Sequence, residues 1–404
     1  MTAEGPAGSE ARRRRLSILD WIAIVLLVLG VLCVATGLLP TAQADATVRR
    51  ILPILLFLAT VLVLAELTAA AGLFDLIATR LATLGRGNFA VLFGLCVTFA
   101  AITTVSLNLD TTAVLLTPVM LALARSLKIP PLPLAMTTVW LANTASLLLP
   151  VSNLTNLLAA NRVALASVAF ASRMGLAQAA AIAATMAFLW AGYWQRRRRG
   201  VARYELPASY VTADPVLLRL AALACLFFIC AILGGIALGL ASAIAAGVLV
   251  TGFAIRQRSA LRWALVPWRL PVFVTGLMLV VQTTSLHFLG GAVSAMIGLS
   301  GGAAGTFRAA AVGAGLSNAL NNLPAYLAGE AVVPVGNHTQ LLGLLIGTNV
   351  GPIITPWASL ATLLWYERCR AQQVHIPLRA YMLASAGLAV AGTAASVSAL
   401  LLTR

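Results

Sequence analysis

Charged residues are scarce in this 404-residue sequence: 9% of the residues are charged and 61% are hydrophobic. A soluble domain carries about one quarter charged residues, so the composition excludes a soluble enzyme or binding module. A helix needs about 20 apolar residues to cross a bilayer. Stretches of that length occur at 17–39, 51–73, 168–193, 215–234, 237–255, 271–289 and 380–402. We therefore predict an all-α polytopic membrane protein.

Acidic residues are scarcer still, with 11 Asp and Glu against 27 Lys and Arg, which gives a formal net charge of +16. Such an excess can indicate a nucleic-acid partner. Here, however, the arginines at 12–15, at 196–199 and between 256 and 269 flank apolar segments. Cytoplasmic loops of membrane proteins show this pattern, and no basic stretch carries a nucleic-acid-binding motif. We expect contact with the lipid bilayer and no nucleic acid.

Thiol and histidine motifs are missing as well. The five cysteines form no CxxC pair, and the three histidines form no motif with Glu or Cys. We therefore expect no metal site and no cofactor. There is no Ser/His pair at catalytic spacing and no ring-forming filter sequence, so an intramembrane enzyme or a channel is disfavoured. The absence of a GxxxxGK[ST] loop excludes a primary ATP-driven pump.

What the sequence does contain is two sets of polar residues that interrupt apolar stretches. The first set lies at 106–112, 142–146 and 152–153, and the second lies at 317–322, 348–352 and 359. Irregular polar backbone survives at membrane depth only where it is buried in protein or lines a cavity. A pair of such breaks in each half of the chain is typical of a transporter's substrate site.

The two sets also predict an internal repeat. An offset of 206 aligns Asn143 with Asn349, and an offset of 211 aligns Ser106 with Ser317. We divide the chain into a cytoplasmic tail (1–16), a first transmembrane repeat (17–194), a basic cytoplasmic linker (195–214) and a second repeat (215–404). The segment 215–234 would be an extra leading span that inverts the second repeat.

The basic loops fit this inversion if each repeat contains one re-entrant hairpin and one broken helix. The hairpins would cover 88–126 and 305–333, with tips near 106–112 and 317–322, and the broken helices would cover 131–160 and 338–365. A chargeless loop at 290–304 would lead into the second hairpin. This arrangement places the N-terminus in the cytoplasm and the C-terminus outside, with most arginines in cytoplasmic loops.

Several of these polar strings resemble those of the arsenite-efflux permeases, the arsenical pump membrane proteins of the ion transporter superfamily. The similar strings are 109–118 (LDTTAVLLTP), 142–147 (ANTASL), 151–156 (VSNLTN), 320–324 (LNNLP), 346–352 (IGTNVGP), 354–356 (ITP) and 359–365 (SLATLLW). The strings of the second hairpin tip (320–324) and of the second broken helix (346–365) are the most specific, and that of the first hairpin is looser. The resemblance covers nearly the whole chain from about residue 17. It implies a two-repeat carrier in which hairpin tips and broken helices meet at one site.

The resemblance also implies a function. It implies export of arsenite or antimonite from a bacterial cytoplasm across the plasma membrane, driven by proton influx, with a soluble ATPase partner in some members and a homodimer. Related families of the superfamily cotransport sodium with dicarboxylates or sulfate, or exchange sodium for protons. A sodium-coupled transporter of a small anion and a sodium/proton antiporter are therefore the alternatives.

The sequence departs from that family at acidic positions. Members tend to carry Asp where this chain has Asn143 and Asn349, and an amide cannot bind and release a proton. Ionisable groups inside membranes are expensive and usually functional. The proton-coupling candidates are therefore Asp110, at the first predicted tip, and Glu66, within 51–73. For Asp110 the alternative is a helix N-cap, and for Glu66 it is pairing with another helix.

The predicted substrate and ion site consists of amides and hydroxyls, which donate and accept hydrogen bonds, together with that acid. Its members are Asn108, Asp110, Thr111, Thr112, Asn143, Thr144, Ser146, Ser152, Asn153, Ser317, Asn318, Asn321, Asn322, Thr348, Asn349, Thr355 and Ser359. The alternative for each amide is that it only satisfies broken backbone. Gly351, Pro352 and Pro356 are expected to shape the second break, since proline removes a helical hydrogen bond.

Overall fold

The structure is a computed structural model that describes residues 18–195, 203–207, 210–262, 265, 268–284, 286–287, 290–298 and 301–403. The described residues are helical, with no strand among them. The first half contains α1 (Ile18–Ala35), α2 (Thr41–Ala70), α3 (Leu73–Leu84), α4 (Phe89–Ser106), α5 (Leu109–Ser126), α6 (Leu132–Thr144), α7 (Leu154–Arg162) and α8 (Ser167–Leu189). The second half contains α9 (Pro215–Leu233), α10 (Leu238–Arg256), α11 (Arg269–Thr284), α12 (Gly290–Ile297), α13 (Gly302–Ala319), α14 (Asn322–Glu330), α15 (His338–Val350), α16 (Leu360–Ala371) and α17 (Leu378–Leu402).

Seven of the described helices are long and apolar enough to cross a membrane. They are Thr41–Ala70, Phe89–Ser106, Leu109–Ser126, Ser167–Trp194, Pro215–Ile232, Gly239–Arg256 and Leu378–Leu402. This confirms the prediction of an all-α polytopic membrane protein. The predicted tail 1–16 and the arginines at 196–199 lie outside the described residues.

One bundle, which we call the five-helix bundle, contains α1, α2, α9, α10 and α11. Glycine permits close contact between α1 and α11, since a Cβ atom on Gly276 would lie 2.3 Å from the backbone nitrogen of Leu27. The hydroxyls of Thr60 on α2 and Ser242 on α10 are 2.6 Å apart and form a hydrogen bond. Small residues and hydroxyls at helix interfaces are what packing in a membrane favours.

The second bundle, the hairpin bundle, contains α4–α8 and α13–α17. Its tightest interface lies between α13 and α15, where glycines spaced four apart pack against small residues with the same spacing. The facing pairs are Gly343 with Thr306, Gly347 with Ala310, and Gly351 with Ala314. A Cβ atom on Gly347 would lie 2.0 Å from the carbonyl oxygen of Ala310, so this approach requires glycine.

Two short helices connect the bundles, and the sequence reasoning assigned neither of them. Helix α3 packs against α5 and contacts α2 and α9, while α12 packs against α13 and α14. The expectation of a loop throughout 290–304 is therefore wrong for Gly290–Ile297. In the linker, Tyr204 packs edge-on against Phe89 at a centroid distance of 5.2 Å and donates a hydrogen bond to the Ala82 carbonyl.

The two hairpin tips have nearly the same backbone conformation. Asn108 has φ 158° and ψ 174°, Asn321 has φ 158° and ψ 158°, and each precedes a helix. The tips are therefore related by an offset of 213, and the predicted offset of 211 is wrong by two residues. The broken helices keep the predicted offset of 206, because Asn153 and Ser359 both cap the helix that follows the break.

The broken helices run in opposite directions. Near one end of the molecule the indole nitrogen of Trp365, on α16, donates to the carbonyl of Ala135 in the first turns of α6. Near the other end, Val163 just after α7 and Leu342 on α15 line the same small pocket. Each broken helix thus begins beside the end of its counterpart, which is the inverted-repeat architecture predicted from the sequence.

Candidate functional site

A cavity of about 450 Å³ lies between the two bundles. Both hairpin tips and the first broken helix contribute to its lining. The residues from the hairpin bundle are Asn108, Leu109, Asp110, Pro150, Val151, Asn153, Leu154, Leu157, Leu158, Asn321, Asn322, Leu323, Leu360 and Leu363. The sequence reasoning predicted that tips and broken helices meet, and the structure brings these together at one place.

The opposite wall of the cavity is apolar and comes from the five-helix bundle. It consists of Ile51, Pro53, Phe57, Ala237, Gly239, Phe273, Val274, Leu277 and Met278. Among the described residues, polar side chains therefore reach the cavity only from the hairpin bundle. Asp110 is the one ionisable residue in the described lining, and no Arg, Lys or His is part of it.

At the first tip, the helix cap and the carboxyl group are separate residues. The Asn108 side chain accepts a hydrogen bond of 2.7 Å from the backbone N–H of Thr111 and so caps α5. Asp110 follows within the first turn, so it is not the N-cap. Its Oδ1 atom and the Thr111 hydroxyl are buried without a hydrogen-bond partner in the described part of the chain. Such groups cost free energy unless a ligand or proton satisfies them.

Asn153 adds a further unsatisfied group beside this tip. Its side-chain oxygen caps α7 by accepting from the Thr155 N–H at 3.2 Å, whereas its Nδ2 atom is buried and finds no described partner. The neighbouring Ser152 hydroxyl donates to the Val105 carbonyl at 2.8 Å and ties the first break to α4. A carboxylate acceptor and an amide donor therefore both line the cavity unsatisfied.

The second tip, in contrast, makes many hydrogen bonds to the break beside it. The Asn318 amide donates to the Ala314 and Gly351 carbonyls, each at 2.8 Å, and accepts from the Ile354 and Thr355 N–H groups, each at 3.1 Å. Asn321 donates to the Trp357 carbonyl at 2.9 Å, and the N–H of Asn322 donates to the Ala358 carbonyl at 2.8 Å. These bonds fasten the second tip to the irregular segment 351–359.

The two amides at the symmetry-related positions link the repeats. Asn143 donates to Thr362 on α16 at 3.3 Å, and Asn349 donates to Asn156 on α7 at 2.6 Å. Asn156 and Thr362 are themselves related by the offset of 206. Asn349 also accepts from the Thr155 hydroxyl at 2.7 Å, while the Asn143 Oδ1 atom is buried and unsatisfied. Neither Asn143 nor Asn349 is part of the cavity lining.

Comparison with known proteins identifies the family of this chain. A model of the CitMHS family, described as "Citrate transporter", matches residues 16–364. The chain belongs to the CitMHS family of membrane transporters.

Curated relatives of this CitMHS chain are named arsenical pump membrane protein. The one from Yersinia enterocolitica is 32% identical, over 76% of each chain. One from Escherichia coli is 30% identical over 76% of each chain, and another is 29% identical over 83% of each. The YdaH transporter of Alcanivorax borkumensis has a solved structure that covers 95% of this chain and 97% of its own, with 14% identity and a TM-score of 0.47. The resemblance read from the motifs is confirmed.

Five of the seventeen predicted site residues of this CitMHS transporter line the cavity, namely Asn108, Asp110, Asn153, Asn321 and Asn322, and twelve do not. Seven of those twelve make their hydrogen bonds inside the hairpin bundle. Thr112, Thr144, Ser146, Ser317, Thr348 and Thr355 donate their hydroxyls to backbone carbonyls, and Ser359 caps α16. They satisfy the broken backbone, which is the alternative considered for the polar set. The expected break-shaping residues Gly351, Pro352 and Pro356 lie at or just after the end of α15, and Gly351 abuts Ala314.

Glu66 is not brought to the cavity. It lies near the end of α2 and forms an ion pair with Arg368 on α16. The sequence did not predict the apolar wall of the cavity. Apolar residues that face a cavity and apolar residues that face lipid have the same sequence pattern, so no sequence signal distinguishes them. The pairing partner Thr362 was likewise not among the predicted site residues.

Proposed function

We propose that this chain is a secondary transporter that exports the neutral trihydroxides of arsenic(III) or antimony(III), coupled to proton influx at Asp110. The observation that carries the proposal is the composition of the cavity lining, which combines amides and one unsatisfied carboxyl group with an apolar wall and no cationic side chain. A trihydroxide needs paired donors and acceptors rather than a countercharge, and amides supply both.

A citrate-like polyanion fits this cavity poorly. Its charge would be buried next to Asp110 without an Arg, Lys or His in the described lining, and unpaired buried charge is costly. Helix N-termini bind anions through free N–H groups. Here four helices start at the tips and breaks, namely α5, α7, α14 and α16. Each already donates a backbone N–H group of its first turn to its own cap, which is Asn108, Asn153, Asn321 or Ser359.

Proton coupling is assigned to Asp110 because a carboxyl group can exchange a proton, whereas Asn143 and Asn349 cannot. Binding of a substrate hydroxyl to the ionised carboxylate and binding of a proton would then exclude each other, as antiport requires. We expect the ends of α3, α5, α10 and α16 to face the cytoplasm, because basic residues lie at or just after these ends and the positive-inside rule favours that side. The N-terminus would be cytoplasmic and the C-terminus outside.

The second candidate is a sodium-coupled transporter of a small anion. It is favoured by the buried, unsatisfied Oδ1 atom of Asn143, an oxygen that suits a hard cation, and by the amides that replace acids at 143 and 349. A soluble ATPase partner and a homodimer are further proposals that rest only on the resemblance to the arsenite-efflux permeases.

Everted membrane vesicles test the proposal. We expect arsenite accumulation when a pH gradient, acid inside, is imposed, and we expect Asp110→Asn to abolish it while the protein remains folded. Asp45→Asn is the matched control, because Asp45 is an exposed acid that pairs with Arg49 on α2. Accumulation of a small anion that requires a sodium gradient, together with no accumulation of arsenite, would support the second candidate and refute the first.

A further inference from the structure

We propose that the Glu66–Arg368 ion pair is a latch, which holds the two bundles together at the end of α2, whereas the cavity opens toward the start of α2. Glu66 belongs to α2 of the five-helix bundle, and Arg368 belongs to α16 of the hairpin bundle. The other described ion pairs are Asp45–Arg49 within α2, Asp214–Arg256 within the five-helix bundle, and Asp75–Arg125 between α3 and α5. Of these four ion pairs, Glu66–Arg368 is the one that joins the two bundles directly.

The position of the pair relative to the cavity supports this role. On α2 the cavity is lined by Ile51, Pro53 and Phe57. Glu66 lies nine residues beyond Phe57, which is about 13 Å along a helix. On α16 the lining residues Leu360 and Leu363 likewise precede Arg368. The pair therefore lies beyond the inner end of the cavity, where α2 and α16 finish.

The cavity extends in the opposite direction. Its lining reaches Ala237, in the turn between α9 and α10, and follows α7 as far as Leu158. Val151 is an exposed member of the same lining. The conformation of this structure therefore has its cavity directed toward the start of α2, while the bundles are joined at the end of α2.

The two side chains of the pair differ in their exposure to solvent. The Arg368 side chain is 11% exposed and the Glu66 side chain is 42% exposed, so the arginine is largely buried and depends on this carboxylate for compensation. For the cavity to open at the other end, α16 must move relative to α2, and the pair must then separate into water. Alternating access by movement of one bundle against another requires such a contact to break.

Vesicle labelling of a single reporter cysteine tests the latch without any substrate, so failure of the arsenite proposal would not affect it. Val151→Cys is introduced after the five native cysteines are replaced by alanine. A membrane-impermeant maleimide is then applied to right-side-out and to everted vesicles. The ratio of the two labelling rates reports how often the cavity opens to each side.

We expect Glu66→Gln and Arg368→Gln each to shift this ratio roughly fivefold toward the everted vesicles, the change that corresponds to about 1 kcal/mol. The swapped double variant, Glu66→Arg with Arg368→Glu, should restore it. Asp214→Asn is the control, because it breaks an ion pair within one bundle and should leave the ratio unchanged. If Arg368→Gln does not fold, Glu66→Gln carries the test, since its side chain is the more exposed.

Two results would overturn the latch. The first is an unchanged ratio in a folded Glu66→Gln protein. The second is a swapped variant whose ratio stays at the value of the single variants, because that result would show that the effect does not depend on the ion pair.

Discussion

The two hairpins have nearly the same backbone at their tips, and an asparagine caps the following helix in each, yet the rest of their hydrogen bonding differs. At the second tip, Asn318 uses both donors and its acceptor, and the glycines of α15 lock α13 in place. At the first tip, Asp110 and Thr111 keep buried atoms without a described partner, and Asn153 does so beside them. The repeat has therefore divided its tasks: the second copy supports the site, and the first copy keeps the groups that can bind.

This division predicts that the same kind of change has different consequences in the two copies. Changes in the second copy should lower the amount of folded protein, because complete networks and close packing are lost. Changes in the first copy should lower transport while the protein remains folded, since its unsatisfied atoms contribute little to stability.

The largest expected effect is on the packing between α13 and α15. Gly347→Ala would place a methyl group 2.0 Å from the Ala310 carbonyl oxygen, so the helices must separate. Overpacking of this kind costs about 3 kcal/mol or more. We expect little folded protein by size-exclusion chromatography in detergent. Gly315→Ala, on α13 with no atom within 4 Å of the added group, is the control and should fold normally. Normal folding of Gly347→Ala would contradict the tight interface.

The next effect concerns the two asparagines beside the breaks. Asn318→Ala removes a side chain that makes four hydrogen bonds, at roughly 0.7 kcal/mol each, and should lower stability by about 3 kcal/mol. Asn153→Ala removes one capping bond and should cost about 1 kcal/mol. Thermal unfolding measured by fluorescence in detergent separates the two. In vesicles, we expect the fractional loss of arsenite transport in Asn153→Ala to be far greater than its fractional loss of stability. Equal melting temperatures would refute the division of tasks.

Much of this architecture was predictable from the sequence, because polar residues in apolar segments are rare and carry a strong signal. The hairpin tips at Asn108 and Asn321 fall within the predicted ranges, and the offset of 206 holds at both breaks. The offset of 211 was wrong because repeated Ser, Leu and Asn residues allow several alignments, and only the backbone angles distinguish them.

The remainder could not be read from local patterns. Helix α3 has only 12 residues, so a length criterion for membrane spans does not find it. Glu66 was correctly noted as an acid in an apolar stretch, but its partner Arg368 lies 302 positions away. Partners at such distances follow from the packing of whole bundles. The same holds for the hydrogen bonds between the repeats, from Asn143 to Thr362 and from Asn349 to Asn156.

A smaller effect is expected when acids are returned to the two amide positions. Asn349→Asp loses the donor to Asn156, although its oxygen still accepts from Thr155, and should cost about 1–2 kcal/mol. Asn143→Asp should cost less, since its bond to Thr362 is longer, at 3.3 Å. We expect both proteins to fold and to show altered dependence of transport on pH. Melting temperatures and pH profiles in vesicles test this, and loss of expression in both would assign the amides to structure alone.

The smallest effect on transport is expected from the cysteines. Arsenic(III) binds thiols, but Cys33, Cys96, Cys225, Cys230 and Cys369 do not line the cavity, and the described residues contain no cluster of metal-ligating groups. Replacement of all five by alanine should therefore leave the rate of arsenite transport per folded molecule unchanged. Stability should fall slightly, because Cys96 and Cys369 are buried. Loss of transport by a folded protein would mean that the metalloid is held by sulfur, and the amides and carboxyl group of the first copy would then not be its ligands.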